Sequence, residues 1–139
     1  MRGTIPIFAL LVCAGVAYAQ MTPQEPIQNF RLPMFGENGY RTWEMKGDEG
    51  RYISPEKIEV SQMKLDVFSG EADSSIENKI KSPLATLFVN KNIAIGDSPI
   101  QILSQNYRVD GERWFWDGKL KRVVISRNAR VIFNEGLSL

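Results

Sequence analysis

Carboxylates come in two close pairs, Asp48-Glu49 and Asp110/Glu112. Paired carboxylates are what a chain without histidine would use for acid–base work. Both pairs sit among glycines, with Gly47 and Gly50 around the first and Gly111 inside the second. Turn chemistry and solvated surface explain such carboxylates without any proton transfer. The chain has no His and a single Cys, Cys13. That removes the usual zinc ligand sets, Cys-His catalysis and the Ser-His-Asp triad. No phosphate-binding glycine loop opens a helix. The reading is therefore a binding protein rather than an enzyme, with no catalytic residues, no metal and no cofactor.

Two other constellations could carry binding. Trp114-Phe115-Trp116 in a strand turns both tryptophans to one side and Phe115 to the other. The functional reading is an aromatic platform for a sugar or an acyl chain; the plain reading is hairpin packing, and it is the preferred one. Lys119, Lys121 and Arg122, with Arg127 and Arg130, make the closing stretch locally basic. They could meet lipid phosphates, or serve only as charges that discourage aggregation.

The elements that would position these residues are strands. Asn38-Gly39, Asp110-Gly111 and Asp117-Gly118 are turn signals. Ser54-Pro55, Ser69 to Ser74, Asn90-Lys91-Asn92 and Gly96 to Pro99 also read as turns, and Ser82-Pro83 ends a segment. Between them lie short alternating runs: Phe30, Leu32 and Met34, an edge strand because it contains Pro33; Trp43 and Met45; Arg51 to Ile53; Leu87 and Val89; Ile93 and Ile95; Ile100 and Ile102. Ile58 and Val60 lie on one parity, and Met63, Leu65 and Val67 on the other, so a bulge or break is expected at Ser61-Gln62. Ile76 to Ile80 is read as strand rather than helix. Residues 58–68 align without gaps to 123–133, and Val123, Ile125, Ala129, Val131 and Phe133 share one parity. Strand-like runs every 8 to 12 residues or so mean an all-β sandwich, roll or barrel.

Residues 1–19 read as a signal peptide, or an N-terminal anchor: Arg2, an apolar run from Ile5 to Val16, then Ala17-Tyr18-Ala19. The run is short of the about 20 residues that span a bilayer. Residues 20–27 are a flexible leader and 28–135 a single domain. Cleavage would remove Cys13 and Arg2, and the 17 basic residues less Arg2 equal the 16 acidic ones. A charge near zero speaks against nucleic acid as a partner.

Several patterns together resemble the LptC/OstA-like periplasmic proteins of lipopolysaccharide export. They run from Gly39-Tyr40 through Trp43 to Gly47, then Ile58-Glu59-Val60, Met63-Lys64-Leu65 and Ile80 to Ala85, then Gly96 to Ile102 and Tyr107 to Gly118. The resemblance implies an antiparallel β-jellyroll whose apolar interior takes the acyl chains of lipid A. It implies a periplasmic protein that carries lipopolysaccharide from an inner-membrane ABC transporter toward the outer membrane. It also implies edge-to-edge contact with other jellyroll proteins of a bridge. On that reading the lipid contacts are the expected inward residues Trp43, Met45, Ile58, Val60, Leu87, Ile95, Ile102 and Ile125. The partner edge is Ala129, Arg130, Val131, Ile132 and Phe133. The alternative is a structural envelope or carbohydrate-binding β-sandwich adaptor that uses the Trp114/Trp116 surface.

Overall fold

Alternating residues make strands, and here the strands are long. The computed structural model describes residues 25–134, so the expected leader peptide, and the leader up to residue 24, lie outside the described residues. Seven strands follow one another: β1 (Ile27–Phe35), β2 (Arg41–Ser54), β3 (Lys57–Phe68), β4 (Ile76–Phe88), β5 (Ile93–Leu103), β6 (Tyr107–Asp117) and β7 (Arg122–Phe133). Among the described residues the one helical turn is a 3-10 turn, Val89–Lys91. The strands form one open antiparallel sheet in the order β1-β2-β3-β4-β5-β6-β7. Every neighbour in the sheet is a neighbour in sequence, and β1 and β7 are its two edges.

Several strands carry an irregularity part-way along, and these irregularities face one another across the sheet. Residues Asn29, Gln62, Arg113 and Asn128 take a left-handed backbone at φ of 54°, 51°, 56° and 52°. The β4–β5 ladder lapses between Lys81 and Thr86, and registers shift between Gly96 and Pro99 and between Asp110 and Glu112. Bulges of this kind bend a strand and change which parity faces inward. In β3 the buried set passes from Ile58 and Val60 to Met63 and Leu65 across Gln62, as the parity change required. In β4 it passes from Ile80 and Ser82 to Ala85 and Leu87, and in β6 from Gly111 to Trp114 and Trp116.

The line of bulges is a crease along which the sheet folds over on itself. The Trp43 ring in β2 meets the Trp116 ring in β6 edge-on, at 6.0 Å between centroids. Strands four apart in a flat sheet would be roughly 19 Å apart at the usual spacing. The Lys121 Nζ, just before β7, donates to the Phe68 carbonyl at the end of β3 at 2.8 Å. One core results, with residues from both leaves: Trp43, Met45, Met63 and Leu65 from one, Ile58, Val60, Leu87 and Trp116 from the other.

The crease corrects three sequence expectations. Asp110-Gly111, Gly96 to Pro99 and Ser82-Pro83 do not reverse the chain; all lie inside strands that cross the fold. At Gly47 to Gly50, where a bend or bulge is expected, β2 continues as one strand of 14 residues while its ladder to β3 lapses between Lys46 and Glu49. Gly111 is required for a different reason: a Cβ there would lie 2.4 Å from Ile125 Cγ2. The turns at Asn38-Gly39, with Gly39 at φ 89°, and at Asp117-Gly118 are as expected. The latter is closed by the Asp117 carboxylate, which accepts from the Lys119 and Leu120 amides. The repeat is structural too: β3 and β7 are each 12 residues long and cover the two aligned segments. The last strand is longer than 129–133, beginning at Arg122.

Candidate functional site

Between the leaves, beside β7, the core gives way to a slot of about 410 Å³, at the small end of ligand pockets. Its walls are inward residues of four strands: Val67 of β3, Ile80 of β4, Ile102 of β5 and Val109 of β6. Trp116 and Val123, from the opposite leaf, complete it. These elements reach one another because the crease folds the β6–β7 turn back over the ends of β3 and β4. Lys121 holds that turn in place through the Phe68 carbonyl and an ion pair with Glu77 at 3.7 Å. Lys121, Arg122 and Leu120 form the rim, and Leu120 is mostly exposed. The slot thus offers aliphatic walls with some polar surface under a cationic lip, an arrangement that can take an anionic amphiphile.

Two polar atoms interrupt the aliphatic walls. Asn78 Oδ1 and Trp116 Nε1 are buried and have no hydrogen-bond partner among the described residues. Both residues line the slot.

The slot continues toward an uncovered face. Val131 and Phe133 of β7 lie opposite Val109 and Tyr107 of β6 in the ladder. Directly opposed residues share a face, so both look the same way as the slot wall. Val131 is 51% exposed and Phe133 58%, because β7 is an edge. The inward parity expected for Ala129, Val131 and Phe133 therefore gives no burial.

The expected lipid contacts divide into three groups. Trp43, Met45, Ile58, Val60 and Leu87 are inward and at most 2% exposed, in the filled part of the core. Ile102 lines the slot, and Ile125 packs half-buried against the core. Ile95 is a correction: it is 39% exposed on the outer face, and its neighbour Ala94 points in. The reason is that the whole β5 parity is set by Ala94, Ile100 and Ile102, which the assumed turn at Gly96 to Pro99 concealed. Sequence reasoning missed Val67, Ile80 and Val109 as slot walls; their parity was legible, but not which part of the core stays open.

Trp114 and Trp116 face inward at 3% and 1% exposure, and Phe115 faces out. The Trp114 Nε1–H donates to Ser82 Oγ at 3.2 Å across the fold. The tryptophans are therefore not a surface platform. The carboxylate pairs are engaged locally: Glu49 with Arg51, Asp110 with Arg108, and Glu112 with the Asn128 amide. Among the described residues, no three or more His, Cys, Asp or Glu are placed to share a metal ion. On the outer face, Glu44 is 5% exposed and ringed by Arg31, Arg41 and Lys46, and Lys46 also reaches Asp66 at 3.0 Å. No sequence signal pointed to that cluster.

Larger hollows exist, of about 720 Å³ between the ends of β4 and β5 and about 660 Å³ beside Ile95 and Phe115. The first is lined mainly by polar residues and the second mainly by outward residues of β4, β5 and β6, whereas the slot is walled by inward side chains of both leaves. Among the described residues, no helix is long and apolar enough to cross a membrane. No family model matches the chain, and no curated protein matches it.

Proposed function

We propose that this protein is a lipopolysaccharide-binding component of a periplasmic export bridge, a short jellyroll-like carrier of lipid A acyl chains. The observation that carries the reading is the slot: a space between two leaves with Val67, Ile80, Ile102 and Val109 in its walls, rimmed by Lys121 and Arg122, opening beside an edge strand. An acyl chain entering it leaves water at about 0.8 kcal/mol per methylene buried. The cationic rim attracts phosphate at the head of the same molecule. An open side lets the chain leave again, as a carrier requires. The resemblance of the strand pattern to the LptC/OstA-like proteins suggests the biological setting: lipid arriving from an inner-membrane ABC transporter and passing to the next jellyroll.

The two edges fit that setting. An unpaired strand recruits another by main-chain hydrogen bonding. The Ala129 to Phe133 part of β7 is offered to the next protein of the bridge, and β1 to the transporter side. The carbohydrate-adaptor alternative loses its platform with the burial of both tryptophans.

A photo-crosslinking residue at Ile102 or Val109 is expected to capture lipopolysaccharide, and one at outward Val124 or half-exposed Gln101 is not. A probe at Val60 is also expected to stay silent, since Val60 is fully buried in the filled core. Equal capture from both faces, or none from the slot, overturns the proposal. Proline placed in turn at Arg130, Val131 and Ile132 is expected to abolish partner association where an outward N–H is lost. It is expected to leave capture at Ile102 intact.

A further inference from the structure

The two polar atoms in the slot carry the argument further. Trp116 Nε1–H is a donor that can do nothing but donate, and Asn78 Oδ1 is an acceptor. Both are buried without a partner, Trp116 at 1% exposure, beside the aliphatic walls Val67, Ile80, Ile102 and Val109. A plain hydrocarbon chain in the slot would leave both unsatisfied, and buried unsatisfied groups are costly. Neither atom reaches a neighbour, although other buried polar groups at the crease do. Ser82 Oγ, for example, takes the Trp114 N–H and donates to the Pro99 carbonyl at 2.7 Å.

We infer that the slot selects an acyl chain carrying a hydroxyl group close to its head, in preference to an unsubstituted chain. One hydroxyl is both donor and acceptor, so it can accept from Trp116 Nε1–H and donate to Asn78 Oδ1 together. The cationic rim of Lys121 and Arg122 then meets the anionic head, and the tail lies against Val67, Ile80, Ile102 and Val109. A site built around a ligand hydroxyl rejects the analogue that lacks it, because its own polar groups are then buried unpaired. The inference rests on the proposed reading of the slot as a lipid site and adds the chemistry that the site discriminates.

The test uses the full chain with 3-hydroxytetradecanoate and tetradecanoate, titrated by calorimetry. The hydroxylated chain is expected to bind about tenfold more tightly. Asn78→Leu and Trp116→Phe are each expected to erase that preference, chiefly by raising tetradecanoate affinity as an unpaired polar atom is removed from the slot, with folding checked by circular dichroism. Asn78→Leu keeps the test decisive if Trp116→Phe is unstable. If both acids bind equally to the unaltered protein, or if the preference survives both substitutions, the inference is wrong while the lipid slot stands. If neither acid binds and lipopolysaccharide is not captured at Ile102, the slot reading itself fails and takes this inference with it.

Discussion

Replacing Gly111 by alanine tests the crease directly. The new Cβ would lie 2.4 Å from Ile125 Cγ2, and 3.4 Å from both Ile125 Cδ1 and the Arg127 carbonyl. The backbone at Gly111 is not left-handed, so alanine meets no conformational penalty, and the clash with one side chain dominates. Overpacking of this kind costs about 1–3 kcal/mol. Loss of glycine freedom in the unfolded chain returns about 0.4–1 kcal/mol. The net expectation is a loss of about 1–2 kcal/mol, roughly 4–8 °C in Tm for a chain of this size. Ile125→Ala alone removes a half-buried side chain and should cost about 1–2 kcal/mol, below the range for full burial. Alanine at 125 also lacks Cγ2 and Cδ1, the atoms that Gly111→Ala would strike. The double variant should therefore be more stable than the sum of the single losses by about 1 kcal/mol or more. Urea unfolding of the four proteins, followed by circular dichroism, measures that coupling. Independent sites add to within about 0.3–0.5 kcal/mol. Additivity within that range would refute the claim that Gly111 is there to admit Ile125, and a turn role for Asp110-Gly111 would have to be reconsidered.

Three further outcomes follow from individual contacts. Ser82→Ala orphans the buried Trp114 N–H and the Pro99 carbonyl, and should lower stability by about 1–3 kcal/mol in denaturant unfolding. Lys121→Met removes the 2.8 Å bond to the Phe68 carbonyl; amide exchange should accelerate in residues 118–121 and at Ser69 while the Val60 amide is unchanged, and uniform acceleration would refute a local tie. The third concerns Asp73, whose carboxyl is held below its ordinary value of 3.8 by the Ser69 hydroxyl and then by the Ser75 amide. A depressed carboxylate pKa contributes to order above the unfolded value and loses that contribution as pH falls through the folded one. Residues 69–75 should therefore exchange faster as pH drops below about 4, after correction for intrinsic exchange. Asp73→Asn should abolish that dependence.

Much of this protein was legible from local pattern. A two-residue alternation encodes which side chains share a face, so the all-β class, the strand at Ile76 to Ile80 and the opposite facing of Trp114 and Phe115 followed from sequence. The parity break at Ser61-Gln62 did too. The turns at Asn38-Gly39, Pro55 and Asn90 to Asn92 did as well, since backbone preference there is a property of a few adjacent residues. What the tertiary structure alone decided is the use made of the remaining glycines, prolines and bulges. Gly111 and the Gly96 to Pro99 segment carry the same local signal as a turn. Yet each lies within a strand, because the chain on the other side, Ile125 over Gly111 for instance, needs the room. The slot belongs to the same class of fact. Val67 and Val123 wall one space only because the bulges align and the sheet folds, which brings Lys121 onto Phe68 from 53 residues away. Alternation says which residues point inward; where the inward residues fill the space and where they leave it open depends on contacts that no local window contains.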